Sequence, residues 1–157
     1  MGADTLQDTM QDTLSARLLA DASKRPAILT DCERLIGEEV DDKSGLSGMA
    51  IKAAYKVVCK VKPGIIRESM DSLLDDFVKR LEPFYEQHRA SGSGAFSDHL
   101  VKNKTQVADA LLGITDDRAR RAQNATLKGA YEKLRPQAKK HVEEAVPRVS
   151  RMLEKHL

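Results

Sequence analysis

Apolar residues recur along this chain at intervals of three and four, and no segment alternates them at every second position. The three-and-four spacing keeps them on one face of an α-helix, whereas a half-buried strand needs alternation. The first segment shows this plainly. A four-residue echo, Asp4-Thr5-Leu6-Gln7 and Asp8-Thr9-Met10-Gln11, carries Leu6, Met10, Leu14 and Leu18 along one narrow stripe. Asp4 can cap the start of that helix, and its early acids favour the positive end. The stripe is thin and its flanks are polar, so it reads as a peripheral arm able to move or swap.

Residues 23–26 read as a break, with Pro26 in a first-turn position that tolerates proline. Ile28, Leu29, Cys32, Leu35, Ile36 and Val40 then mark a second helix, closed by the polar run 41–45. The stretch from Leu46 to Val61 is apolar over most of its circumference. Leu46, Ala50, Ala53, Ala54, Val57, Val58 and Val61 cover one side, Ile51, Tyr55 and Cys59 widen it, and Lys52, Lys56 and Lys60 make a narrow ridge. A helix apolar nearly all round belongs in the middle of a bundle. Residues 62–64 (Lys-Pro-Gly) stop it.

From Ile65 to about Arg89, Ile66, Met70, Leu73, Phe77, Leu81 and Phe84 form a core-facing seam, and Pro83 predicts a kink or a new helix. Residues 90–95 have the composition of a flexible linker. Short helices follow toward Lys102 and over Thr105–Leu112, the latter closed by Gly113. Thr115, Asp116 and Asp117 then cap another, continued by Leu127, Ala130, Tyr131 and Leu134. Pro136 opens the last helix, whose stripe runs from Ala138 through Val142, Val146 and Val149 to Leu153, and Pro147 should bend it. The expected fold is all-α: a single-domain bundle of six or seven helices around a buried central helix at about 46–61. Residues 1–22 form an arm, and 23–157 one helical domain with a linker at 90–95.

Composition agrees with that fold. Aromatics are only 4% and Trp is absent, so the core must be built from aliphatic side chains. Charge then adds an asymmetry: residues 1–50 carry a net −5 and residues 51–157 a net +7. The plain reading is an acidic third packed beside a basic remainder, and the sharper one a basic face for an anionic partner. No signal-type leader and no run long enough to span a membrane is evident. Cys32 and Cys59 belong to no CxxC pair and read as free buried thiols, which places the protein in the cytoplasm.

Candidate chemistry is sparse. The glycines match neither a phosphate loop nor a dinucleotide fingerprint. His88, His99, His141 and His156 lack the Glu-x-x-His spacing of di-metal bundles and read as surface or helix-end residues, so no metal or cofactor is expected. No nucleophile has a partnering base, so no catalytic residue is assigned. Residues 106–119 could form a helix-turn-helix pivoting on Gly113, but Asp109 and Asp116 fit poorly against DNA. Arg118, Arg120, Arg121, Lys139 and Lys140, with the ridge of Lys52, Lys56 and Lys60, are candidate anion contacts.

Two stretches, Leu46–Val58 through Gly64 and Lys133–Val142, resemble a family of small, uncharacterised, all-helical bacterial proteins over roughly residues 25–157. The resemblance implies a bacterial source and a single helical domain, and it transfers no activity and no site residue. The leading expectation is a non-catalytic interaction module that binds a protein or itself, with Leu6, Met10, Leu14 and Leu18 as candidate contacts. The alternatives are a nucleic-acid binder using the basic C-terminal half and a carrier of a small amphipathic ligand between helices.

Overall fold

The computed structural model describes residues 12–157. Among these residues the chain forms seven α-helices and no strand: α1 (Leu14–Leu19), α2 (Arg25–Asp42), α3 (Gly45–Cys59), α4 (Ile65–Ser91), α5 (Phe96–Lys102), α6 (Lys104–Arg121) and α7 (Ala125–His156), with a single 3-10 turn at Ala22–Lys24. The all-α, single-domain expectation is met.

Two long helices organise the bundle. α4 packs against α1, α2, α3, α5 and α6, and α7 packs against α2, α3, α5 and α6. The core is one cluster: Leu14, Leu18, Ile28, Leu29, Cys32, Leu74, Val78, Leu81, Tyr85, Phe96, Leu100, Val107, Val146 and Leu153. Phe96 meets Tyr85 edge-to-face with ring centroids 5.1 Å apart, so one of the few aromatic pairs fixes α5 against α4. The buried line of α4 is Ile65, Leu74, Val78, Leu81 and Tyr85. It lies mostly one residue later than the seam expected from spacing. Met70 and Phe84 of that seam are only partly buried, because α4 has neighbours on several sides and the apolar stripe alone cannot say which edge is innermost.

The expected arm is part of this core. Leu6 and Met10 lie outside the described residues, but Leu14 and Leu18 are fully buried in the shared cluster. Two contacts tie the start of α1 to the bundle. The Leu14 and Ser15 amides donate to the Glu82 carboxylate of α4 at 2.8 and 3.2 Å, and the Thr13 hydroxyl accepts from the Ala16 amide at 3.1 Å. A carboxylate at a helix N-terminus meets both its orphan N–H groups and its partial positive charge. Glu82 does from 67 residues away what a local cap ordinarily does.

Other boundaries also move. Pro83, Pro136 and Pro147 all sit inside continuous helices, and Pro136 does not open one. Each removes a single intrahelical bond, a loss the packing on either side offsets. The helix-turn-helix is absent, since α6 runs through Gly113 to Arg121. A mid-helix glycine costs about 1 kcal/mol, less than the lateral contacts of α6 supply. Of the expected linker at 90–95, Ala90 and Ser91 continue α4 and only 92–95 make a turn. Gly92, at φ +65°, closes α4 in the left-handed conformation that favours glycine, and a ring nitrogen of His88 meets the Gly94 carbonyl at 2.8 Å.

The largest correction concerns the helix expected at the centre. α3 contributes nothing to the core cluster, and its one buried residue is Gly48. Cys59, expected to be buried, is exposed, whereas Cys32 is buried and its thiol is pushed up to about 11, chiefly by desolvation. α3 docks at the edge of the bundle because Gly48 lets it close onto the chain just before it. A Cβ there would stand 2.7 Å from the Lys43 carbonyl carbon.

Candidate interaction surface

α3 lies alongside α7, and the two run in opposite directions. At one end the Lys43 ammonium reaches Glu144 at 2.8 Å and the His141 carbonyl at 3.3 Å. Toward the other, Ala50, Ala53, Ala54 and Val57 face Ala125, Gly129, Ala130 and Leu134 across an open groove of about 460 Å³. The groove exists because the side chains along it are small, so two backbones lie close without filling the space between them.

The outward surface beside the groove is unusually apolar. Leu46 is 88% exposed, Met49 67% and Val57 45%. Among the described residues only Val101 joins them as an exposed large hydrophobic side chain. Three of four such residues on one fifteen-residue helix make a patch rather than scattered exposure. Ala50 and Ala53 are exposed between them.

The electrostatics of the surface are equally lopsided. No acid occurs from Lys43 to Gly64. Lys52, Lys56 and Lys60 are exposed, and none forms an ion pair or a side-chain hydrogen bond with another described residue. Across the groove, Lys133 is exposed and unpaired in the same sense.

The other candidate anion contacts fare differently. Arg118 donates to the Ser72 hydroxyl at 2.7 Å and to Asp76 at 2.9 Å, which ties α6 to α4. Arg120 and Arg121 both pair with Asp117 on their own helix. Lys139 pairs with Asp109 at 3.1 Å. Lys140 has no ion pair among the described residues. The eight candidate anion contacts are thus divided: four are engaged by carboxylates, and three of the remaining four lie on α3 and its C-cap, Lys60. Asp116, read as a helix cap, accepts from Arg135 at 2.8 Å and from the Tyr131 hydroxyl at 2.5 Å. Burial and that carboxylate push the Tyr131 phenol up to about 12, so it serves as a neutral donor that latches α6 to α7.

Two histidine environments escaped the sequence reading. His141, expected at a surface, is buried, and neither ring nitrogen has a hydrogen-bond partner. Burial first, and then the Lys43 ammonium, hold its pKa below the ordinary histidine value. His88 and His99 lie with ring centroids 6.1 Å apart. Desolvation and then His88 lower the pKa of His99. No group of three or more potential metal ligands occurs among the described residues, and none of their helices is long and apolar enough to cross a membrane.

The chain belongs to DUF6918, a family of unknown function, whose model matches residues 14–157. The match begins at Leu14, the first residue of α1, and so takes in the helix that the sequence resemblance had left outside. That boundary agrees with the burial of Leu14 and Leu18. No curated protein and no solved structure matches the chain.

Proposed function

We propose that this protein is a non-catalytic helical interaction module that binds another protein through the exposed face of α3 and the groove beside it. One observation carries the reading. α3 holds Leu46, Met49 and Val57 toward solvent while every other helix among the described residues, α5 with Val101 excepted, covers its large apolar side chains. Apolar exposure concentrated on one element marks a surface that is covered in use. The contact thus moves from the first helix, where Leu14 and Leu18 are already committed to the core, to α3. The reading assigns no catalytic role to any residue. It places the protein in a reducing cytoplasm, supported by the two free cysteines.

The test is capture from a lysate of the source organism with wild-type protein and with the double variant Leu46→Ser, Met49→Ser. A partner held by the wild type and released by the variant is the expected result. Identical capture by both proteins removes this face from the function.

A second reading, a carrier of a small amphipathic ligand, draws on the groove itself. Its volume of about 460 Å³ falls in the range of small-molecule sites, and its lining is mostly alanine, glycine and leucine. Nucleic-acid binding draws less support, because Arg118, Arg120, Arg121 and Lys139 are held by carboxylates of the chain itself.

A further inference from the structure

Resting on the interaction-module reading, we propose that the partner segment is an acidic amphipathic helix, which lies along the groove between α3 and the N-terminal half of α7. Charge complementarity is the main argument. Lys52, Lys56 and Lys60 run along the helix that forms one wall of the groove and its C-cap, Lys133 lines the other wall, and no described carboxylate pairs with any of them. The cations that tie helices together elsewhere in the bundle are matched instead: Arg25 with Asp71 and Asp75, Arg67 with Glu33, Arg148 with Glu38, Glu39 and Asp42. Three of these four lysines lie in the stretch 43–64, which contains no acid, so the apolar slot is locally positive.

The shape of the slot selects a helix. Its walls are two antiparallel helices, so its long axis is straight, and a third helix can lie in it as in helix-in-groove recognition. Ala50, Ala53, Gly129 and Ala130 keep the walls low. A partner backbone can then approach at the short end of the usual range of about 8–10 Å between helix axes. Leu46 and Met49 extend the apolar track beyond the groove toward the start of α3. The partner's carboxylates would meet the lysines on both flanks, with a stripe of small and medium apolar side chains between them. A second copy of this chain docked α3 to α3 would instead set one lysine ridge against another, which like-charge repulsion disfavours.

The probes are three labelled synthetic helical peptides, titrated against the full chain by fluorescence anisotropy. One has an Ala/Leu stripe with glutamate flanks, one the same stripe with lysine flanks, and one the glutamate composition with the stripe scrambled. The first should bind and the other two should not, with affinity falling as salt screens the flanks. Lys52→Glu, Lys56→Glu and Lys60→Glu together should weaken the first peptide by about tenfold or more and admit the lysine-flanked peptide, a swap that general loss of structure cannot produce. Ala53→Arg, which obstructs the groove at an exposed position, should abolish binding of both.

Equal binding of the two oppositely charged peptides, or binding unaffected by Ala53→Arg, overturns the proposal. A concentration-dependent dimer dissolved by Ala53→Arg also overturns it, in favour of a second copy. Capture of a partner lost with Leu46→Ser, Met49→Ser, together with no binding of the glutamate-flanked peptide, sinks the acidic-helix chemistry and leaves the module reading standing. Loss of both sinks both.

Discussion

The two halves of α7 face different surroundings although they belong to one helix. The C-terminal half buries His141, Val146, Ser150 and Leu153, and Val146 and Leu153 enter the common core. The N-terminal half, from Ala125 to Lys140, has no fully buried residue and shares its groove with α3. The first region is closed by aliphatic packing and tied at its rim by contacts such as the Arg148–Glu39 ion pair at 2.8 Å and the His156–Asp31 hydrogen bond at 2.6 Å. The second has small side chains, exposed large ones and unpaired lysines. The contrast shows that burial here follows the third dimension rather than hydrophobicity. α3 is the more apolar helix by composition and the less buried one.

The strongest test of this contrast is a pair of truncations. Phe96→Ala removes a fully buried ring that packs on Tyr85 and should cost about 3–5 kcal/mol of stability. Leu46→Ala removes an exposed side chain and should stay within about 0.5 kcal/mol. Chemical denaturation of both variants measures the difference. Comparable losses would mean that α3 is packed far more tightly than its exposure indicates.

A smaller effect is expected where the two regions join. Gly48→Ala puts a methyl group against the Lys43 backbone, which cannot yield as a flexible side chain would. Destabilisation of about 1–3 kcal/mol is expected. Amide exchange should rise in α3 well before it rises in α4, since α3 can detach without opening the core. Uniform exchange across both helices would show that α3 is an integral part of the cooperative unit.

The mildest effect is one of pH. His141 and His99 both titrate below the ordinary histidine value in the folded protein, mainly because burial disfavours their charged forms. Between the folded and unfolded pKa values the unfolded chain binds more protons, so stability rises with pH there. The contribution is complete above about pH 6.5 and is lost progressively as pH falls toward the depressed folded values. His141 faces Lys43 and Glu144 as well as its own neighbour Lys140, with Nδ1 3.8 Å from Glu144. Replacing it with glutamine should flatten part of the decline in denaturation midpoint between pH 7 and pH 5. An unchanged profile would assign the slope to other groups. Acid loss of the Asp31 and Asp116 ion pairs lies in a separate, lower window, because their pKa values are depressed below the ordinary carboxylate value.

Much of the architecture was legible in the residues. The spacing of Ile28, Leu29 and Cys32 in α2 and of Val146 and Leu153 in α7 marks faces that are indeed buried. The end of α2 carried a readable signal as well, whereas α5 starts at Phe96 with no side-chain cap. Prolines were less informative than local rules imply. Pro83, Pro136 and Pro147 each lose one backbone bond, but 27- and 32-residue helices with neighbours along their length absorb that loss. The candidate surface was half legible. Lys52, Lys56 and Lys60 were recognisable as a ridge, whereas the solvent exposure of Leu46, Met49 and Val57 was not, because an apolar helix looks the same at the centre of a bundle and at its edge.

The sequence by itself determined that the chain is helical, where most helices lie and which stripe of each is apolar. These are properties of residues three and four apart, and local geometry settles them. Tertiary structure decided which stripes meet. It drew Leu14 and Leu18 into the core by way of Glu82, and gave Asp76, Asp109 and Asp117 to cations that had looked available. It also left α3 at the rim with an apolar face and three unpaired lysines. Those outcomes depend on contacts between residues far apart in the chain, and a one-dimensional pattern does not encode which of several compatible faces ends up without a neighbour.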